Sequence, residues 1–260
     1  MKDLSILTIN IGNPSKDRAL SQVKWLEGRK EDVLVLTETK NSDGCEYIAN
    51  YFKHPNVDLF SPEIKESFYV YYPKSETGDL GVMIISRIPF ERTYSLFDSS
   101  HRFYARFAAC DIVFNQTRIS ILGLYVPSRD SSEVKINRKK AFCVDAANFI
   151  KNNHPNNCII CGDLNIIERN HIPHYPFFQE WEYRFYDFFS KQRFIDAYKY
   201  HNPGLNDYTW VGRTNDGYRY DYFFVSDSII DKVTDCFIVH ETRTTNRITD
   251  HSAVSLKLEL

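Results

Sequence analysis

Short apolar runs, each closed by a polar residue, recur along this chain. Residues 4–11 (LSILTINI) read as a strand that ends in the turn chemistry of Gly12-Asn13-Pro14. Residues 17–28 carry Ala19, Leu20, Val23, Trp25 and Leu26 along one helical stripe, with Gly28 as the stop. Residues 33–36 (VLVL) form a second buried strand running into Thr37-Glu38-Thr39-Lys40, and this strand–helix–strand spacing fits a βαβ-like unit. A short helix over 45–52 and strands over 68–72 and 81–86 follow. Residues 106–114 and 118–126 form a hairpin around Asn115-Gln116-Thr117. A long helix occupies 131–153, capped by Ser131 or Ser132. After a strand at 158–161 the pattern predicts a helix within the aromatic stretch 175–189, then strands over 218–226, 234–240 and 253–258.

The polar residues at the strand ends carry the candidate chemistry. In CIICGDLN (158–165), Gly162 lets the backbone turn. Asp163 and Asn165, two apart in extended chain, project to one side. A carboxylate able to take a proton beside an amide able to hold a water is a usable pair for hydrolysis; a turn acid after a strand is the competing reading. Glu38 repeats the arrangement, against the alternative of a solvated loop acid. Asn10 reads equally as a turn residue and Tyr125 as core. Asp221 interrupts an apolar strand, and a buried Asp is costly without a partner such as His. Arg129, Lys135, Arg138, Lys139 and Lys140, set against Asp130 and Glu133, are either a solvated helix face or, because they follow Tyr125, a phosphate-contacting patch.

Length and charge narrow the class. At 260 residues the chain can bury one sizeable core, and one domain over 1–260 is expected. A net charge of -2 means that a phosphate-binding face must be a local basic patch. Cys158 and Cys161 form a CxxC, but residues three apart on a strand face opposite ways. Buried thiols in a reducing compartment fit the six cysteines better than zinc or redox chemistry. No targeting segment or membrane span is visible, so a cytoplasmic protein with no membrane partner is expected.

Taken in order, LTINI, LTETK, GVMIIS, LYVPS, CGDLN, YTW, YRYDYFFVS and TDHSAV resemble the endonuclease/exonuclease/phosphatase superfamily, and within it the exonuclease III type of AP endonuclease. The resemblance runs from Leu4 to Leu258. It implies an α/β fold, a four-layer α/β sandwich with two mixed β-sheets packed face to face and helices outside. It assigns Glu38 to a divalent metal, Mg²⁺ or Mn²⁺, with Asp250 as a further site acid near a possible second metal. Asp163 and Asn165 match the residues that activate and orient water, and Asn10 their support. His251 matches the histidine at the scissile phosphate, Asp221 the acid that orients it, and Tyr125 a phosphate-contacting tyrosine. Trp210, Tyr218 and Tyr220 fall where the family walls a pocket for a flipped-out abasic sugar; core packing is the alternative for each. Arg129, Lys135 and Arg138 are the candidate substrate contacts.

The implied activity is Mg²⁺-dependent cleavage of DNA 5′ to abasic sites by a monomer, with 3′→5′ exonuclease or 3′-end repair beside it. The alternatives are a nuclease of the same fold acting on undamaged DNA or on RNA, a phosphomonoesterase or lipid-phosphate hydrolase, and a catalytically dead binding module. One departure stands out. Where the family often has Asn or Asp two residues after the first asparagine, this chain has Gly12. Either one metal-shell or water-holding side chain is missing, or Asn13 supplies it. Lys16 and Arg18 stand in place of the usual basic residue that follows.

Overall fold

The computed structural model describes residues 3–54, 67–153 and 155–260. The elements in chain order are β1 (Leu4–Asn10), α1 (Lys16–Glu27), β2 (Val33–Thr39), α2 (Asp43–Lys53), β3 (Tyr69–Tyr71), β4 (Gly81–Ser86), β5 (Phe90–Tyr94), β6 (Phe107–Phe114), β7 (Thr117–Tyr125) and α3 (Glu133–Asn153). There follow β8 (Cys158–Asp163), α4 (Glu180–Lys191), β9 (Phe194–Asp196), α5 (Ala197–His201), β10 (Trp210–Val211), β11 (Gly217–Tyr218), β12 (Asp221–Ser226), β13 (Val233–Val239), α6 (Glu241–Thr244) and β14 (Ala253–Leu258).

Alternation of side chains sorts these elements into four layers. One 6-stranded sheet has the order β13-β14-β1-β2-β4-β3 and the other β5-β6-β7-β8-β12-β9. Ile6, Val35 and Ile84 of the first face Cys110, Ile121, Ile159 and Phe223 of the second across a shared apolar core. Leu7, Leu36 and Met83, on the opposite face of the first sheet, are covered by Val23 and Leu26 of α1 and Ile48 and Phe52 of α2. Leu122 and Ile160 of the second are covered by Phe142 and Ala146 of α3 and Phe185 and Phe189 of α4. Each sheet is mixed: β1 with β2 and β7 with β8 are parallel, each pair bridged by a helix, and their neighbours are antiparallel. The four-layer sandwich expected from the resemblance is therefore present.

The sheets pack tightly at Gly123, where an added Cβ would stand 2.7 Å from Val82 and 2.8 Å from Val35. Cys158 enters the helix-side core and Cys161 the inter-sheet core, and all six cysteines are buried and free. No helix among the described residues is long and apolar enough to cross a membrane.

Two expected elements are shorter. The helix of the aromatic stretch begins only at Glu180, because Gln179 and Glu182 form a reciprocal cap that fixes its start. The strand expected over 218–226 is broken at Arg219. Tyr218 pairs with Trp210 in the β10–β11 ribbon, Arg219 turns inward to Asp196 and Glu168, and only from Asp221 does the chain pair with β8. Strands β5 and β9 carry no alternating signal: β5 is an edge whose middle residues are exposed, and β9 has 3 residues.

Candidate active site

Strand direction brings the polar ends together. β1, β2, β7 and β8 deliver their C-terminal ends to one rim, while β12 and β14, antiparallel to β8 and β1, deliver their N-terminal ends there. In the second sheet Tyr125, Asp163 and Asp221 lie in one row across three neighbouring strands. Gly162 makes that row possible. Its φ is +129°, and a Cβ there would sit 2.1 Å from the Leu124 carbonyl oxygen.

Two hydrogen bonds then cross from one sheet to the other. Asn10 Nδ2, at the end of β1, donates to Asp163 Oδ2 at 2.8 Å. His251 Nδ1, just before β14, lies 2.8 Å from Asp221 Oδ2. Buried threonines brace both. Thr249 Oγ1 donates to the Asn10 carbonyl at 2.7 Å and accepts from His251 N at 3.3 Å. Thr209 Oγ1 accepts from the amides of Tyr220 at 3.0 Å and Asp221 at 3.2 Å. Neither threonine carries a signal in the sequence beyond standing near an acid.

Asn165 reaches the site by a different route from the one its spacing suggests. Its φ is +49°, so the chain has left the extended conformation. Its amide N donates to Asp163 Oδ1 at 2.9 Å and its Nδ2 to the Val126 carbonyl at 3.1 Å. An aspartate-centred turn, not a strand, sets the pair side by side.

Burial and neighbouring charge tune the protonation of the cluster. Burial, and next the Asp221 carboxylate, push the Asp163 pKa up to about 7, against the pull of His251 and the Asn10 hydrogen bond. Burial works against a charge on His251, but Asp221, Asp163 and Asp250 outweigh it and raise the imidazole to about 9. Burial, then Glu38 and Asp163, raise the Tyr125 hydroxyl, so it stays a neutral donor. The Arg106 guanidinium lies 4.7 Å above the Tyr125 ring and donates to the Tyr125 carbonyl at 3.2 Å.

These groups line a cavity of about 270 Å³. Asn10, Glu38, Tyr125, Asp163, Asn165 and His251 form its polar wall; Phe177, Phe178, Trp210 and Tyr220 form its aromatic wall. Tyr218 is not part of the lining. It stacks behind, on Tyr220 at 5.1 Å and on Tyr175 at 4.2 Å between ring centroids. Phe177 and Phe178 were not singled out from the sequence, where they look like ordinary core aromatics. Asp250 lies on the far side of Trp210, accepting from its Nε1 at 2.9 Å, and lines a neighbouring cleft that shares Glu38.

The basic residues after Tyr125 are largely engaged by acids. Arg129 lines the cavity, but its guanidinium is held by Glu182, with Nε at 3.0 Å. Lys139, expected on a charged helix face, is buried and donates to Glu182 and to the Asn165 carbonyl, each at 2.6 Å. Lys135 meets Asp130 at 2.8 Å and Arg138 meets Asp79 at 2.5 Å; neither lines the cavity. At the departure from the family pattern, Gly12 has φ +60° and Asn13 Oδ1 accepts from Ser42 Oγ at 2.8 Å, toward the start of α2.

Two groupings could hold a cation. Ligand atoms of Asp163, Asp221 and His251 lie within 4.8 Å of one another, and Asp221 Oδ1 is buried without a hydrogen-bond partner. His251 Nδ1 is already on Asp221 Oδ2, and both oxygens of Asp163 already accept from Asn10 and Asn165, which makes this trio a poor cage. Glu38 and Asp250 fit a hard divalent ion better: both line the open cleft, and among the described residues neither is paired with a basic side chain.

A sequence model of the endonuclease/exonuclease/phosphatase family matches residues 7–251. An exodeoxyribonuclease of Bacillus subtilis is 23% identical over 237 residues, covering 85% of this chain and 87% of its own. A solved AP endonuclease from Archaeoglobus fulgidus superposes with a TM-score of 0.79 at 21% identity, over 99% of this chain and 100% of the other. A 3′-5′ exonuclease from Neisseria meningitidis gives 0.80 at 19% identity, over 99% and 100% of the two chains. A Neisseria 3′ phosphatase bound to a product DNA hairpin gives 0.79 at 17% identity, with the same coverage.

Proposed function

The chain belongs to the endonuclease/exonuclease/phosphatase family, and on that premise we propose that it hydrolyses phosphodiesters in DNA, cutting 5′ to abasic sites and trimming 3′ ends. The observation that carries this reading is the pair of cross-sheet bonds that set Asp163 and the His251–Asp221 couple on the rim of one cavity.

The proposed roles follow from the donors and acceptors. Asp163, with a pKa near neutrality, takes the proton of a water that Asn165 orients. His251 keeps its proton to about pH 9, and with Nδ1 on Asp221 its Nε2 faces the phosphate as a charged donor. Tyr125 donates a neutral O–H to another phosphate oxygen. Asn10 fixes Asp163. A divalent ion held by Glu38, with Asp250 near, would add positive charge at the phosphate. The water oxygen bonds to phosphorus as the P–O3′ bond breaks, leaving a 5′-phosphate and a 3′-oxygen that takes its proton from solvent.

Abasic preference rests on size and shape. A cavity of about 270 Å³ lies just under the roughly 300–1,000 Å³ of pockets that engulf drug-sized ligands. Its aromatic wall suits a bare sugar beside a phosphate and crowds a sugar that still carries its base. The DNA-acting relatives described above support DNA as the substrate.

The test is cleavage of a labelled duplex carrying one abasic-site analogue with Mg²⁺, beside the undamaged duplex and the Asp163→Asn protein. A single cut 5′ to the lesion, absent in the variant, is expected. Equal cutting of both duplexes would replace this reading with that of a general nuclease. No cutting of either would move the substrate to RNA, phosphomonoesters or phospholipids.

A further inference from the structure

The arginines of this chain are mostly paired. Arg29, Arg106, Arg118, Arg129, Arg169 and Arg219 each meet a carboxylate. Arg18, Arg243 and Arg247 do not, among the described residues, and all three line the same cleft of about 670 Å³ beside the reaction cavity. They come from separate segments. Arg18 is on α1, Arg243 is on α6, and Arg247 is in the loop before Asp250.

What holds them is the backbone and a hydroxyl. Arg18 Nη2 donates to the carbonyls of Gly12 and of Asn13, the latter at 3.2 Å. Arg243 Nε donates to Ser252 Oγ at 3.2 Å, and Arg247 Nε to the Thr244 carbonyl at 3.5 Å. Each guanidinium is thus steadied by one edge and, among the described residues, forms no ion pair with a carboxylate. Gly12 lies against Arg18: an added Cβ would stand 3.5 Å from its Nη2, an ordinary van der Waals contact. Three guanidiniums against the two carboxylates of Glu38 and Asp250 leave the cleft net positive.

We infer that this cleft binds a second phosphate of the substrate strand, the one adjoining the scissile phosphate. The inference rests on the proposed function and deepens it. Guanidinium forks match phosphate oxygens, and Glu38 lines both hollows, so a strand crossing the rim passes from one into the other. Of the basic residues that the sequence suggested around the start of α3, Arg129 and Lys139 are spent on Glu182, Lys135 on Asp130 and Arg138 on Asp79. Arg18, Arg243 and Arg247 lie instead in the cleft that they share with Asp250, the partner of Trp210 Nε1.

The test is anisotropy of a labelled oligonucleotide duplex against the full chain carrying Asp163→Asn, over a range of KCl. Adding Arg18→Ala, Arg243→Ala and Arg247→Ala should weaken binding tenfold or more. It should also lower the slope of log Kd against log salt by about 0.9, the contribution of one neutralised phosphate. A control triple, Lys53→Ala, Lys151→Ala and Lys191→Ala, removes the same charge from exposed positions outside both hollows; it should change the slope by much less. The three Arg→Lys replacements should keep the slope, which separates lost charge from lost folding. A single neutral methylphosphonate next to the scissile linkage should weaken binding by the parent and not by the arginine-to-alanine triple.

Equal slopes for the two alanine triples, or equal sensitivity of parent and arginine triple to the neutral linkage, would overturn the inference. Arginine-dependent binding by a wild type that cuts no nucleic acid would sink the proposed function and leave the cleft. Cutting with arginine-independent binding would do the reverse, and absence of binding by the parent would sink both.

Discussion

Both oxygens of Asp163 already accept a hydrogen bond from the protein, from Asn10 and from Asn165, so the side chain has one orientation. Asp163→Asn keeps the shape and removes the basic site. Turnover should fall at least about 10²-fold, the lower range for a lost general base, with DNA affinity nearly unchanged; single-turnover cleavage and anisotropy read the two separately, and retained turnover would take the role from Asp163. His251 makes a second, independent prediction. Its pKa is raised from 6.5 to about 9, because the carboxylates of Asp221, Asp163 and Asp250 outweigh the burial that opposes its charge. A raised pKa in the folded state means stabilisation that is complete below about 6.5 and lost as pH rises through about 9. The raised Asp163 carboxyl acts with the same sign but in a lower window, from its ordinary 3.8 up to about 7. In urea denaturation with EDTA present, wild-type stability should therefore decline between pH 6.5 and 9. His251→Gln should flatten that decline; parallel curves would show that the imidazolium is not the group responsible.

At the scale of elements, the site depends on one close backbone approach and one buried ion cluster. Gly162→Ala places a Cβ on the Leu124 carbonyl and forces a positive φ on a residue that resists it. A loss of more than about 2 kcal/mol is expected by denaturation, and a neutral result would mean that β7 and β8 can part without cost. Glu182 ties α4 to Lys139 of α3 and to Arg129, and Lys139 in turn holds the Asn165 carbonyl. Glu182→Gln leaves two buried cations short of their counter-charge and should cost roughly 3–5 kcal/mol. The sequence made most of the strands readable, because β1, β2, β4, β8 and β14 are apolar runs with clear ends. It hid β5, whose middle residues are exposed, and the break at Arg219, which is decided by partners at Glu168 and Asp196 far along the chain. It also hid the fate of Lys139. Helical spacing alone cannot tell a solvated lysine from one buried against an acid on another helix.

On the scale of the whole molecule, two strand–helix–strand units face each other, β1-α1-β2 and β7-α3-β8, and each contributes residues to one rim. Glu38, Asp163 and Asp221 were legible because each interrupts or ends an apolar run, whereas Asp250 and His251, ahead of the last strand, were marked only by the family resemblance. The charge layout was not, since pairing depends on which helices meet. If Glu38 and Asp250 hold a divalent ion, EDTA should silence cleavage and added Mg²⁺ restore it; full activity in EDTA would remove metal from the mechanism. Asn10 and His251 belong to one sheet and Asp163 and Asp221 to the other, so the thickness of the core sets the length of both cross-sheet bonds. The apolar filling thereby works as a gauge block between two jaws. At Gly123 the gap is so narrow that one methyl group would press on Val82 and Val35. A replacement there, two residues before Tyr125 on β7 and itself outside the cavity lining, can spread the jaws and detune the enzyme while the chain still folds.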